Sequence, residues 1–145
     1  MRSGPLIIGI GAIVVAVACN KPPAVQGGAN RVNVTLNCDG NGATIGVHPW
    51  RAILASRSDS ILWTLAGPTG YTVSITPKDP ARWPFASPPP IVVGAQGGVG
   101  KDIPAGTAAG TYKYVVTGVC VRSGQAPDTV ILDPDMIIPT LLDQQ

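Results

Sequence analysis

Any acid–base, nucleophilic or metal chemistry in this chain has to be drawn from a short inventory. All 8 of its acidic residues are Asp, it has a single His, His48, and its 3 cysteines are Cys19, Cys38 and Cys120. A Ser–His–Asp triad would have to use His48, and no Gly-x-Ser-x-Gly elbow exists to present a serine. His48 precedes Pro49, which biases it toward extended backbone, so it reads as a strand histidine. Asp39 with Asn41, and Asp133 with Asp135, offer oxygens to calcium, but neither approaches a set of about six to eight ligands. Asx turns account for both. The run Ala95-Gln-Gly-Gly-Val-Gly-Lys-Asp102 has the outline of a phosphate-binding loop. Ala95, however, stands where the first Gly belongs, Asp102 where a hydroxyl would hold magnesium, and Pro104 spoils the helix that should follow. It reads as an ordinary loop. No catalytic residue, cofactor or metal ligand is therefore expected, and the chain is not expected to be an enzyme.

The composition narrows the partners. Lys and Arg total 10 against the 8 acids, a net charge of +2, and the positives are spread from Arg2 to Arg122 without a cluster. Nucleic acid is not expected as a partner. Hydrophobic residues make up 45% and charged residues 12%, which excludes disorder by composition. With 18 Gly and 15 Pro beside many Val, Ile and Thr, the chain reads as short strands joined by turns.

The first residues read as an address. Arg2 is followed by the apolar run Leu6–Ala18, too short to span a bilayer and closed at once by Lys21, Pro22 and Pro23. The run ends in Ala16-Val17-Ala18-Cys19, which resembles the lipobox of bacterial lipoproteins, with Ala16 where that motif usually has Leu. The resemblance implies a signal peptide over residues 1–18 and a diacylated Cys19 at the mature N-terminus. The expected product is exported and held at the bacterial cell envelope by lipid, on the periplasmic or surface face of a membrane it does not span. Residues 19–30, with two Pro and two Gly and no apolar period, read as the lipidated Cys and its tether.

Cysteine arithmetic fits this address. Assigning Cys19 to lipid leaves Cys38 and Cys120 as one pair in a compartment where disulfides persist. Strict alternation puts Val32, Val34, Leu36 and Cys38 on one face of a strand, and Tyr112, Tyr114, Val116, Gly118 and Cys120 on one face of another. Both thiols point inward, so a disulfide is expected ahead of two buried free cysteines. In the chain-entropy model it is worth on the order of 4 kcal/mol.

One domain is expected over residues 31–139, followed by a tail at 140–145. Strands are expected at 32–38, 43–48, 50–55, 60–66, 71–76, 91–93, 111–121 and 128–132. Hairpin turns are expected at Asp39-Gly-Asn-Gly42, Ser58-Asp-Ser60, Gly67-Pro-Thr-Gly70 and Ser123-Gly124. Residues 77–110 interrupt the pattern as a Pro- and Gly-rich excursion with one edge strand at 91–93. Its rings, Trp83 and Phe85, beside Pro88-Pro-Pro90, are expected to cover a sheet edge and to offer a surface to an envelope protein or a small ligand.

Two segments carry a family resemblance. Ser58-Asp-Ser-Ile-Leu-Trp-Thr-Leu65 resembles the "GDxVxW" strand of cupredoxins, and Gly110-Thr-Tyr-Lys-Tyr-Val-Val116 resembles their "GTYxYxC" strand. The resemblance implies an all-β, antiparallel Greek-key sandwich, cupredoxin-like, with an immunoglobulin-like sandwich as the alternative. The copper chemistry does not carry over. A blue-copper site needs a thiolate and two imidazoles, whereas Val116 stands at the family's Cys and the stretch after Trp63 supplies no His. The functional expectation is a membrane-anchored, non-catalytic binding or structural module of the envelope. A copper-handling or electron-transfer protein with atypical ligands, and an accessory subunit or hydrolase using Asp residues, are the alternatives.

Overall fold

The computed structural model describes residues 29–40, 42–54 and 59–140. The expected signal peptide, the lipidated Cys19, the tether as far as residue 28 and residues 141–145 of the tail lie outside them. Ten strands form: β1 (Ala29–Asp39), β2 (Gly42–His48), β3 (Arg51–Ile53), β4 (Ser60–Ala66), β5 (Thr72–Pro77), β6 (Ile91–Gly94), β7 (Gly98–Asp102), β8 (Gly110–Cys120), β9 (Asp128–Leu132) and β10 (Asp135–Ile138). They make an all-β sandwich. One sheet has the order β2-β1-β4-β7; the other has the order β3-β10-β8-β5-β6, with β9 paired to the second half of β8. Each sheet is mixed: β1 runs parallel to β4, and β3 parallel to β10, within otherwise antiparallel ladders.

The alternation read from the sequence is the reason for the layers. Val32, Val34 and Leu36 on β1, Ile61, Trp63 and Leu65 on β4, Val73 and Ile75 on β5, and Tyr114 and Val116 on β8 are all buried between the sheets. Cys38 and Cys120 close a disulfide that ties β1 of one sheet to β8 of the other, with Cα atoms 5.6 Å apart. Close approach leaves no room for side chains at some crossings. A Cβ on Gly67 would sit 2.9 Å from the Leu36 carbonyl oxygen, where only Gly fits.

Four sequence expectations need correction. Residues 77–110 carry two strands rather than one, because the glycines of 98–102 let β7 lie flat against β4; a Cβ on Gly98 would meet Thr64, Leu62 and the Trp63 carbonyl at 3.2–3.3 Å. The phosphate-loop look-alike is thus largely strand. The turns expected at 58–60 and 67–70 do not close hairpins, because β3 and β4, and likewise β4 and β5, belong to different sheets. β10 escaped the sequence reading, although Met136 and Ile138 are buried core residues. Finally, β1 begins at Ala29, inside the span expected to be tether. The hairpins at 39–42 and 121–127 stand as expected, joining β1 to β2 and β8 to β9.

Candidate functional site

Strand direction sorts the loops into two groups. Ala29, Ser60 and Asp102 lie side by side where β1 and β4 begin and β7 ends, and the 103–109 connection returns from there to the start of β8. The excursion between β5 and β6 folds across this same end. Asp79 accepts a hydrogen bond from the Ala81 amide at 3.0 Å and starts a 3-10 turn over Pro80–Arg82. Beyond it Phe85 is 6% exposed and reaches the opposite sheet, packing edge-on to Trp63 with ring centroids 5.5 Å apart. Trp83 is half-buried, packs edge-on to Phe85 at 5.0 Å, and donates its indole N–H to the Ser87 carbonyl at 2.8 Å. Phe85 is therefore a core residue that plugs the end of the sandwich, and Trp83 is the ring that meets solvent.

Between the two connections lies a cleft of about 510 Å³, walled by Arg82, Trp83 and Pro84 on one side and by Pro104, Thr107 and Tyr112 on the other. Its second wall is a tight turn. The Thr107 amide and hydroxyl both donate to the Pro104 carbonyl, at 3.1 and 2.8 Å, and Gly106 supplies the positive φ of 89° that a type II turn requires. Tyr112 donates its hydroxyl to the Ala108 carbonyl at 2.6 Å. The Arg82 guanidinium lies over the Tyr112 ring, 5.4 Å from its centroid, and a side chain on Gly110 would press on it. Arg82 also walls a smaller groove of about 300 Å³ shared with Lys78, Thr111 and Lys113.

Among the described residues the ion pairs are Arg51 with Asp135 at 3.0 Å, Lys78 with Asp133, and Arg122 with Asp128. Arg82 is exposed and is in none of them. Arg31, Lys101 and Lys113 are in none of them either, and what sets Arg82 apart is the Tyr112 ring beneath its guanidinium. Asp133 and Asp135, weighed from sequence as calcium ligands, are instead committed to Lys78 and Arg51.

The metal-competent residues do not come together. His48 ends the edge strand β2 opposite Asn33, whereas the disulfide leaves β1 at Cys38, roughly 17 Å further along the strand. Val116 is fully buried, between Ile75 and Leu132 of the neighbouring strands. No group of three or more His, Cys, Asp or Glu that could hold a metal ion occurs among the described residues. No helix among them is long and apolar enough to cross a membrane.

The perturbed titration lies deeper. Burial pushes the Tyr114 phenol up to about 12 from 10.0; the neighbouring indole of Trp63 opposes the shift and the Asp135 carboxylate adds to it. Neither the Trp63 indole N–H nor the Tyr114 hydroxyl has a hydrogen-bond partner among the described residues. Of this site, the sequence reading found Trp83 and Phe85 and missed Arg82 and Tyr112. The signal for Tyr112 was its place on the inward face of β8, but an exposed arginine after a proline turn carries none. In comparison with known proteins, no family model matches the chain, and neither does any curated protein.

Proposed function

We propose that this chain is an exported bacterial lipoprotein, anchored through Cys19, whose cupredoxin-like sandwich lacks copper ligands and serves as a non-catalytic binding module of the cell envelope. The cleft between Arg82, Trp83 and Tyr112 is its recognition surface. The observation that carries this reading is the packing of the excursion around Phe85, which makes the cleft a preformed feature with little ordering cost on binding. The pairing of Cys38 with Cys120 supports the address, because it leaves Cys19 as the odd cysteine at the end of the lipobox-like run. The two motifs behind the cupredoxin resemblance support the family reading: Trp63 of one and Tyr114 of the other meet edge-on across the core at 6.0 Å. A guanidinium backed by one ring and flanked by another suits a small ligand that joins a carboxylate to a flat apolar group.

The two halves are tested separately. Expressed in a bacterium, the full chain should fractionate with membranes, and Cys19→Ser should move it to the soluble fraction or stall its processing. Wild-type fractionation and migration of that variant would refute the anchor. For recognition, benzoate is a probe that combines the two chemistries. It should shift the amide resonances of Arg82 and Thr107 and the indole N–H of Trp83, and Arg82→Gln should abolish those shifts. A titration that leaves all three resonances in place would show that the cleft is not the recognition surface.

A further inference from the structure

The smaller groove, of about 300 Å³, is walled by Lys78, Asp79, Arg82, Thr111 and Lys113. Alternation along β8 builds one side of it: Tyr112 and Tyr114 take the inward face, so Thr111 and Lys113 point outward and are exposed. The pairing of β5 with β8 runs to Pro77 opposite Tyr114, and one step further the Lys78 amide donates to the Lys113 carbonyl at 3.0 Å. Two lysines therefore stand opposite each other. The chain then turns at Asp79 and Pro80 and brings Arg82 back to the start of β8, its guanidinium over the Tyr112 ring and beside Gly110. Like charges gathered in this way across adjacent strands oppose one another. The nearby carboxylates answer only part of that repulsion. Asp133 pairs with Lys78, Asp135 stands in register with Lys113 but pairs with Arg51, and Asp79 accepts the Ala81 amide. Arg82 and Lys113 are in no ion pair among the described residues.

We propose that this groove binds a phosphate group, held by the Arg82 guanidinium, the Lys113 ammonium and the Thr111 hydroxyl. A phosphate monoester carries a charge of about −1.5 to −2 near neutral pH. Its oxygens point in several directions, so it accepts a charge-assisted bond from each of two cations and a further one from a hydroxyl. A carboxylate carries one charge and would leave one of the two cations unanswered. The ring under Arg82 sets the guanidinium in place before a ligand arrives, which lowers the ordering cost of binding. The proposal stands apart from recognition in the cleft, because Thr111 and Lys113 wall only the groove and Arg82 alone walls both. Two sources would present the phosphate: a soluble molecule and a phospholipid headgroup. On the lipoprotein reading the headgroup is within reach, since residues 20–28 span at most about 35 Å between Cys19 and Ala29, which lies at the same end of the sandwich.

The test follows the amide resonances of Thr111 and Lys113 in the purified full chain carrying Cys19→Ser, while inorganic phosphate replaces chloride at constant ionic strength. Both should shift and saturate. Lys113→Gln should weaken the binding by about tenfold, read at Thr111, as the loss of one charge-assisted bond implies. Thr111→Val, which keeps the branched shape and removes only the hydroxyl, should weaken it less. Neither substitution should alter the response of the Trp83 indole to benzoate, so the groove and the cleft fail or succeed separately. Dihexanoyl phosphatidic acid, kept as single molecules in solution, decides the source: tighter binding than inorganic phosphate that is lost in Lys113→Gln assigns a lipid headgroup, and equal or weaker binding assigns a soluble phosphate. The absence of a saturable shift with inorganic phosphate, or an affinity that both substitutions leave unchanged, would overturn the proposal.

Discussion

Phe85 and Trp83 sit two positions apart in one segment and do different work. Phe85 is enclosed by Trp63 and Trp83, so Phe85→Ala removes a ring from the core and should cost about 3–5 kcal/mol in urea unfolding. Trp83 packs against Phe85 but is only half-buried and lines the cleft, and Trp83→Ala should cost less, about 1–2 kcal/mol. Equal costs would mean that Trp83 is as much a core residue as Phe85. Tyr114 adds a pH dependence whose sign is fixed by its raised pKa of about 12. Below pH 10 the phenol is neutral in both folded and unfolded chains and contributes no slope. Between about 10 and 12 the unfolded chain ionises while the folded one does not, so stability falls as pH rises through that window. Tyr114→Phe should flatten the alkaline side of the stability profile and, because the buried hydroxyl has no partner, should be neutral or stabilising by about 1 kcal/mol near pH 7. An unchanged alkaline slope in Tyr114→Phe would show that another group controls it.

At the level of elements, legibility followed alternation. β1, β4, β5 and β8 announce themselves because one face is built of Val, Ile, Leu, Trp or Tyr and the other mostly of Asn, Thr, Ser, Lys or Arg, with Leu62, Val115 and Val119 among the exceptions, and the structure buries the first set. The disulfide was legible for the same reason, since the period of two sends both thiols inward. β7 was not legible, because Gly98-Val-Gly-Lys-Asp102 is a strand held by close backbone approach to β4, and glycines leave no hydrophobic signal. β10 failed differently. Asp135 looked like part of a turn, but it is buried in the strand by its pairing with Arg51, an interaction across 84 residues that no local window contains. The crossovers were read as hairpins because turn chemistry marks where a chain changes direction and says nothing about which sheet it joins next. The cleft was half legible: large rings beside prolines mark a segment that must pack somewhere, whereas the position of Arg82 over Tyr112 depends on how two distant connections meet.

The whole molecule is two sheets fastened at opposite ends. At one end Phe85 bridges from the connection after β5 to Trp63 of the other sheet; at the other end the Cys38–Cys120 disulfide joins β1 to β8. Tyr114 and Cys120 lie on the same strand, roughly 20 Å apart, so the two fastenings share β8 but no contacts. The bridge closes a separation of 82 residues, and breaking it with Cys38→Ala and Cys120→Ala should lower stability by about 2–4 kcal/mol, less than the full chain-entropy value if the unfolded chain retains structure. Because sites this far apart act independently, Trp83→Ala should cost the same with and without the disulfide, within about 0.5 kcal/mol. Urea unfolding of the wild type, Trp83→Ala, the double-alanine chain and the combined variant completes the cycle. A coupling clearly above that margin would show that the core between the two ends transmits strain along β8. Additivity would show that the end holding Phe85 and the cleft keeps its stability independently of the redox state of the other end.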